Sequence, residues 1–294
     1  MRLPLRPCNV CSPVVSGRAT LVVVSVALSV GCGDDVTLRL LEPEPGSVSG
    51  GAGGGGSAGA TGTGGGSSAG APLIAADALV HRYDFEGSGT RVADRVGGDD
   101  GFLEGGAELD GRGNAVFDGE DDFAALPAGV VSSLEGGTLL AWLTWNDSQC
   151  WQRVFDFGSQ MTGSNGALES ETSLFLAPEA CGSGSMSGSI ELPGGERYPL
   201  DAPDPLPSGR SVMAGVLVDP AAEVFRIVLD GNVIQQRAMP RLLSDIDDAN
   251  AWLGRSQYEV DRFLDARYEE FRIYSRPLTD DELVAIFEAG PDEP

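Results

Sequence analysis

The stretch Thr138-Leu-Leu-Ala-Trp-Leu-Thr-Trp145 decides how this chain is read, because it is apolar in both alternating phases: Leu139, Ala141 and Leu143 on one, Leu140 and Trp142 on the other. A strand with one face in water alternates apolar and polar side chains. A run that is apolar in both phases belongs inside a layered β structure, with Trp142 in a core. Outward from it, Val212-Met-Ala-Gly-Val-Leu-Val218 and Val224-Phe-Arg-Ile-Val-Leu229 flank Asp219-Pro-Ala-Ala-Glu223, the pattern of a hairpin. Asp230-Gly231 turns the chain into Asn232-Val-Ile-Gln235, and Asp118-Gly119 turns it between Ala115-Val-Phe117 and Phe123-Ala-Ala125. One segment breaks the strand pattern. Thr279-Asp-Asp-Glu-Leu-Val-Ala-Ile-Phe-Glu-Ala-Gly290 pairs Thr279 with Glu282 as a capping box, fills the first turn with acids and stops at Gly290, so a short C-terminal helix is expected.

Composition excludes whole classes of function. The 294 residues carry 44 acids against 19 basic side chains, all arginine, for a net charge of -25. Such a chain repels phosphate backbones, so nucleic acid is not an expected partner. His81 is the single histidine, which leaves no multi-histidine metal site and makes a histidine-based triad improbable. It opens the first strand signal and reads as a surface or edge residue.

The N-terminal part is organised differently. Residues 20–30 (TLVVVSVALSV) are uncharged and mostly apolar, preceded by Arg2, Arg6 and Arg18 and followed by Gly31-Cys32. The run is shorter than the roughly 20 residues a membrane-spanning helix needs and has the anatomy of a signal peptide. Cys32 is similar to the acylated cysteine of a bacterial lipobox, although Ser29 stands where Leu is preferred; simple secretion after Ser29-x-Gly31 is the competing reading. Cys8 and Cys11 fall in the removed segment and receive no role. Within 46–70, 13 of 25 residues are glycine, a composition that cannot bury a core. As a coil, residues 32–72 would span about 35 Å. The expected organisation is therefore a signal peptide over 1–31, a Gly/Ser-rich tether over 32–72 and a folded domain over 73–294. Cys150 and Cys181 are then left as a pair in an oxidising compartment. A disulfide between them would stabilise by about 3 to 4 kcal/mol on the chain-entropy model, with two free thiols as the alternative.

Six segments in order resemble a known family: Tyr83-Asp-Phe-Glu-Gly87; Ala115-Val-Phe-Asp-Gly119 with Asp122-Phe123; Gly137-Thr-Leu-Leu-Ala-Trp142; Trp151-Gln-Arg-Val-Phe-Asp-Phe-Gly158; Leu253-Gly-Arg-Ser-Gln257; and Glu270-Phe-Arg-Ile-Tyr-Ser-Arg-Pro-Leu278. They look like successive strands of the concanavalin A-like, laminin-G-type jelly roll of bacterial secreted proteins. The resemblance implies an all-β sandwich of two antiparallel sheets, about six or seven strands each, one of them concave, with a short C-terminal helix. It also implies a structural Ca²⁺ held by Asp94, Asp99 or Asp100 of a loop after the first strand together with an acid on the last strand, here Glu269 where Asp is usual. The alternative is an acidic, solvated surface.

Aromatic side chains serve as platforms for sugars. Trp145, Trp151 and Tyr258 are the candidate rim residues, with Arg255 beside the Gly-Arg-Ser-Gln turn, while Trp252 reads as structural. Arg153, Asp156, Arg255 and Gln257 are equally explained by an internal arginine-carboxylate pair that fixes loop geometry. Glycoside hydrolases share the jelly roll, but the Glu-x-Asp-x-x-Glu string that places two carboxylates on one face is missing. Glu169-Ser-Glu171 lies in a Gly/Ser-rich region without strand character, and Glu269 and Glu270 are expected to face opposite ways. The expected function is a noncatalytic, carbohydrate-binding module on the cell envelope, lipid-anchored or secreted, with the anchor as its sole membrane contact. A structural or adhesion protein that contacts extracellular protein partners is the alternative, and a glycoside hydrolase is the more remote one.

Overall fold

The computed structural model describes residues 74–146 and 149–291; Cys32, the signal segment and the tether lie outside the described residues. In chain order the strands are β1 (Leu79–Tyr83), β2 (Ser88–Gly89), β3 (Arg91–Val92), β4 (Gly101–Glu104), β5 (Leu109–Asp110), β6 (Ala115–Asp118), β7 (Phe123–Leu126), β8 (Gly137–Trp145) and β9 (Phe155–Thr162). They continue with β10 (Leu168–Ala177), β11 (Ser187–Leu192), β12 (Glu196–Asp201), β13 (Ser211–Asp219), β14 (Val224–Leu229), β15 (Asn232–Ala238), β16 (Asn250–Leu253) and β17 (Asp265–Tyr274), and the chain closes on helix α1 (Asp280–Ala289).

Two antiparallel sheets result. The back sheet runs β15-β14-β13-β8-β17-β6-β5-β2, with β1 also paired to β17, and the front sheet runs β12-β11-β10-β9-β16-β7-β4-β3. Among the described residues these are nine and eight strands, more than the six or seven expected, because two-residue strands at the margins extend both sheets. The hairpin from β13 to β14 is present with Asp219 opposite Val224. Asp230 and Gly231 both take positive φ (47° and 77°), the geometry of the two-residue turn that suits the twist of β14 and β15.

The two-phase apolarity of β8 has a direct explanation. Leu139, Ala141, Leu143 and Trp145 enter the core between the sheets. Leu140 and Trp142 point the other way, into a second cluster with Leu79, Met213, Val228, Tyr274, Leu278, Leu283 and Ile286, through which α1 covers the outer face of the back sheet. Thr279 caps that helix: its side chain accepts from Glu282 N, and the Glu282 carboxylate receives Thr279 N at 2.8 Å. Arg276 grips the same carboxylate, and its hydrogen bonds, with burial opposing them and Thr279 assisting, hold the Glu282 carboxyl down at about 2.

Two β-bulges change expected directions. In β17 the register slips between Tyr268 and Glu270, so Tyr268 and Phe271, three apart, both enter the core. Glu269 and Glu270 consequently do not face opposite ways: Glu269 receives Ser211 Oγ and Arg267, while Glu270 receives Arg82 and Arg272, all from outward positions of the back sheet. In β10 the slip lies between Ser170 and Thr172, and Glu169-Ser-Glu171, read from sequence as lacking strand character, is part of that strand.

Candidate functional site

The outer face of the front sheet is built from the positions that alternate with the core. Phe155 and Phe157 of β9, Leu174 and Leu176 of β10, and Ile190 and Leu192 of β11 turn inward. That leaves Asp156, Ser173, Phe175, Ser189 and Glu191 outward, with Phe175 opposite both Asp156 and Ser189, and Ser173 opposite Glu191. After β16 the chain turns at Gly254, whose φ of +88° and 2.6 Å approach of a would-be Cβ to the Phe117 ring require glycine. Residues 254–264 then run along this outer face.

Beneath that segment lies a buried polar network. Arg153, 1% exposed, donates Nε to Asp156 at 3.3 Å, Nη2 to Asp261 at 2.7 Å and Nη1 to the Trp151 carbonyl at 2.9 Å. Asp156 is fully buried and also accepts Ser173 Oγ at 2.6 Å and Gln257 N at 3.0 Å. Burial pushes its carboxyl up to about 6, against the pull of Arg153, Ser173 and the Gln257 amide. The guanidinium of Arg153 sits 4.3 Å from the Phe175 ring centroid and 5.4 Å from that of Trp151. The internal-pair reading of Arg153, Asp156 and Gln257 is the one the structure displays.

Above the network is a groove of about 220 Å³ walled by Trp151, Phe175, Glu191, Arg197, Tyr258 and Asp261. A second groove of about 160 Å³ shares Tyr258 and Asp261 with it and adds Gln160, Arg255 and Phe263. Trp151 has φ +58°, a conformation bulky side chains rarely adopt and one that persists where neighbours enforce it. Here the enforcing contacts are the Cys150–Cys181 disulfide next door, with Cα atoms 5.2 Å apart, the Trp151 N–H to Glu179 carbonyl bond, and the Arg153 bond to the Trp151 carbonyl. The expected disulfide therefore holds a ring at the groove. The Tyr258 hydroxyl donates to Glu191 at 2.7 Å and accepts from Arg197 at 2.9 Å. Burial and Glu191 raise its pKa, so it is a neutral phenol with a fixed ring. Arg255 stacks over Trp252 at 4.1 Å and Phe123 at 4.7 Å, and Trp252 is buried as a structural ring.

Of the sequence candidates, Trp151 and Tyr258 share the first groove, and Tyr258 and Arg255 share the second. Trp145 joins neither: it is 1% exposed, continues the inward phase of β8, and donates its Nε1 to Gln152 at 2.8 Å. Phe175, Glu191, Arg197 and Asp261 were not anticipated. Phe175 was findable as the out-of-phase aromatic in Ser173-Leu-Phe-Leu-Ala177; Glu191, Arg197 and Asp261 carry no local signal.

The acids expected to hold calcium do not form an oxygen cage. Asp94 is buried and both its oxygens are filled, Oδ1 by Arg82 N and Val96 N, Oδ2 by His81 Nδ1 and Asp99 N. Although burial opposes them, these donors hold its carboxyl below the ordinary range. Asp100 accepts Asp94 N and Arg91, and Glu269 is engaged by Ser211 and Arg267 instead of approaching this loop. His81, Asp94 and Asp99 do bring one potential ligand atom each within 4.8 Å of the others, as do Asp118, Asp121 and Asp122. In the first trio the Asp94 carboxylate is already filled by donors, the Asp99 carboxylate is exposed, and His81 is buried instead of at the surface. Calcium does not fit the Asp94 carboxylate, because a cation there would meet N–H donors.

Comparison with known proteins agrees with this architecture. Domain 4 of the extracellular GH43 arabinanase AbnA from Geobacillus stearothermophilus, solved in complex with arabinotriose, superposes with a TM-score of 0.55 at 18% identity, over 71% of this chain and 97% of that one. A Trypanosoma rangeli sialidase gives 0.54 at 14% identity over 74% of this chain and 33% of that one, so this chain spans about a third of it. The botulinum neurotoxin serotype D binding domain gives 0.52 at 11% identity, over 72% and 52%. A search of curated protein sequences found no match. Among the described residues no helix is long and apolar enough to cross a membrane. The family model Laminin_G_3 matches residues 118–284, more than half of the chain, and with two antiparallel sheets around one core the chain belongs to the concanavalin A-like lectin/glucanases superfamily.

Proposed function

We propose that this chain is a noncatalytic binding module that takes a glycan in the groove on the outer face of the front sheet. The observation that carries the reading is the pairing, in one groove, of two partly exposed rings, Trp151 and Tyr258, with polar groups fixed from below by a buried network. A pyranose or furanose offers an apolar face to such rings and hydroxyls to the groups at their edges. The arabinotriose bound by the arabinanase domain supports the ligand class; at 18% identity the likeness is one of fold and leaves the sugar open. The groove carboxylates favour binding over catalysis. A glycosidase needs an acid and a base or nucleophile free to exchange protons or attack. Here Asp156 is engaged by Arg153, Ser173 and Gln257, Asp261 by Arg153 and Ser256, and Glu191 by Tyr258 and Arg197.

The module is displayed on the cell envelope by acylation of Cys32 and the glycine-rich tether that follows. The Cys150–Cys181 disulfide supports an oxidising compartment outside the cytoplasm. Probing a glycan array with the full chain tests the ligand: saturable binding to a defined sugar class is expected, and no binding to any sugar would transfer the reading to a protein-contacting adhesion module. For the anchor, a Cys32→Ser form is expected to leave the membrane fraction; retention there would overturn lipidation.

A further inference from the structure

The three guanidinium groups of the two adjoining grooves are not equivalent. Arg153 is neutralised by Asp156 and Asp261, and Arg197 by Glu191. Arg255 makes no hydrogen bond or ion pair among the described residues, although the chain holds 44 acids against 19 arginines. Its contacts are the rings of Trp252, Phe123 and Phe263, at 4.1, 4.7 and 5.8 Å. Ring faces hold the guanidinium plane in place and leave its N–H donors unspent. Burial lowers its pKa with no carboxylate acting in the other direction. Of the acids sharing this groove, Asp261 is engaged by Arg153 and Ser256, and the exposed Glu259 accepts the Leu168 amide at 3.0 Å through one oxygen; neither bonds Arg255.

A half-buried cation fixed by aromatic rings, with free donors beside Gln160 and Tyr258, matches a planar anion attached to a polyhydroxyl ring. Resting on the carbohydrate reading above, we infer that the grooves select an acidic glycan, a carboxylate-bearing uronic acid unit, and that Arg255 is the specificity-determining residue that pairs with its carboxylate. Since the chain as a whole repels anions, the selectivity is local, arising at contact and not from long-range attraction.

The test is calorimetric titration of the full chain with oligogalacturonate, oligoglucuronate and the carboxyl-reduced neutral counterpart of each. A uronate is expected to bind about ten- to a hundredfold more tightly than its neutral counterpart, the scale of a charge-assisted hydrogen bond. Arg255→Gln is expected to erase that ratio, so that within this variant a uronate binds no more tightly than its neutral counterpart. Arg255→Lys, which keeps the charge and loses the planar fork, should retain part of the ratio, and thermal unfolding of both variants reports whether the aromatic cluster still folds. Equal binding of acidic and neutral sugars, or an undiminished ratio in a folded Arg255→Gln, overturns the inference and leaves the carbohydrate reading standing. Binding of none of these sugars, nor of any on the array, removes both.

Discussion

The two outer faces of the sandwich are made from the same kind of position, the outward phase of antiparallel strands, and they have opposite characters. On the back sheet that phase is Leu140, Trp142, Met213, Val228 and Tyr274, and it is sealed by Leu283 and Ile286 of α1. At its margin Glu270, 1% exposed, holds Arg82 and Arg272, and both arginines also bond the Pro291 carbonyl. On the front sheet the outward phase is Asp156, Ser173, Phe175 and Glu191, and what crosses it is a loop that satisfies polar groups and leaves two grooves. A sheet face lined with aliphatic side chains must be covered. One lined with paired charges and rings can stay open to a ligand. The back face therefore belongs to stability, and the front face is the one to which the proposed function assigns recognition.

The comparison breaks most visibly at Glu270. Glu270→Ala removes the buried carboxylate that Arg82 and Arg272 share and is expected to destabilise by about 3 to 5 kcal/mol, read as a lower urea midpoint, with sugar binding by the remaining folded protein unchanged. A loss of binding without a loss of stability would place function on the wrong face. Leu283→Ala should cost about 2 to 5 kcal/mol by opening a cavity under α1, again without altering affinity, and a cost near zero would mean that the helix is not what seals the sheet.

Acid separates the two faces more finely, because their carboxylates are shifted in opposite directions. Glu282 on the helix side is lowered from 4.5 to about 2, so its contribution to stability is present above 4.5 and is lost as pH falls toward 2. Asp156 under the groove is raised from 3.8 to about 6, so its contribution is present below 3.8 and is lost as pH rises through 6. Melting midpoints of wild type against Glu282→Gln and Asp156→Asn, followed from pH 2 to 7, should diverge in those two windows; parallel profiles for both variants would refute the assignment. The smallest effect expected is none: a chelator should leave the melting midpoint unchanged, since Asp94 is satisfied by N–H donors. A drop in the midpoint would restore the calcium proposal.

Much of this difference was legible in the sequence, and the part that was not has identifiable causes. The both-phase apolarity of residues 138–145 gave β8, and the capping box at Thr279 gave α1, because local periodicity and capping chemistry decide those elements. That the second apolar phase of β8 is covered by α1 is a tertiary fact with no local mark. Trp151, Tyr258 and Arg255 were recognisable as aromatic and cationic residues at turns. Trp145 looked the same and is core, because it extends the inward alternation by one more step. Glu269 was misplaced for a similar reason: a bulge between Tyr268 and Glu270 resets the alternation, and nothing in the residue types announces it. Glu191, Arg197 and Asp261 reach the groove from β11, β12 and the loop after β16, so their convergence exists only in three dimensions.

The central claim, that the front face binds and the back face holds the fold, is met most directly at Trp151. Affinity of Trp151→Ala for the best array sugar, measured by calorimetry beside its melting midpoint, is predicted to fall by at least tenfold, the scale of about 1.4 kcal/mol in lost ring contact, while the midpoint stays close to that of wild type. Unchanged affinity in the folded variant would contradict the account.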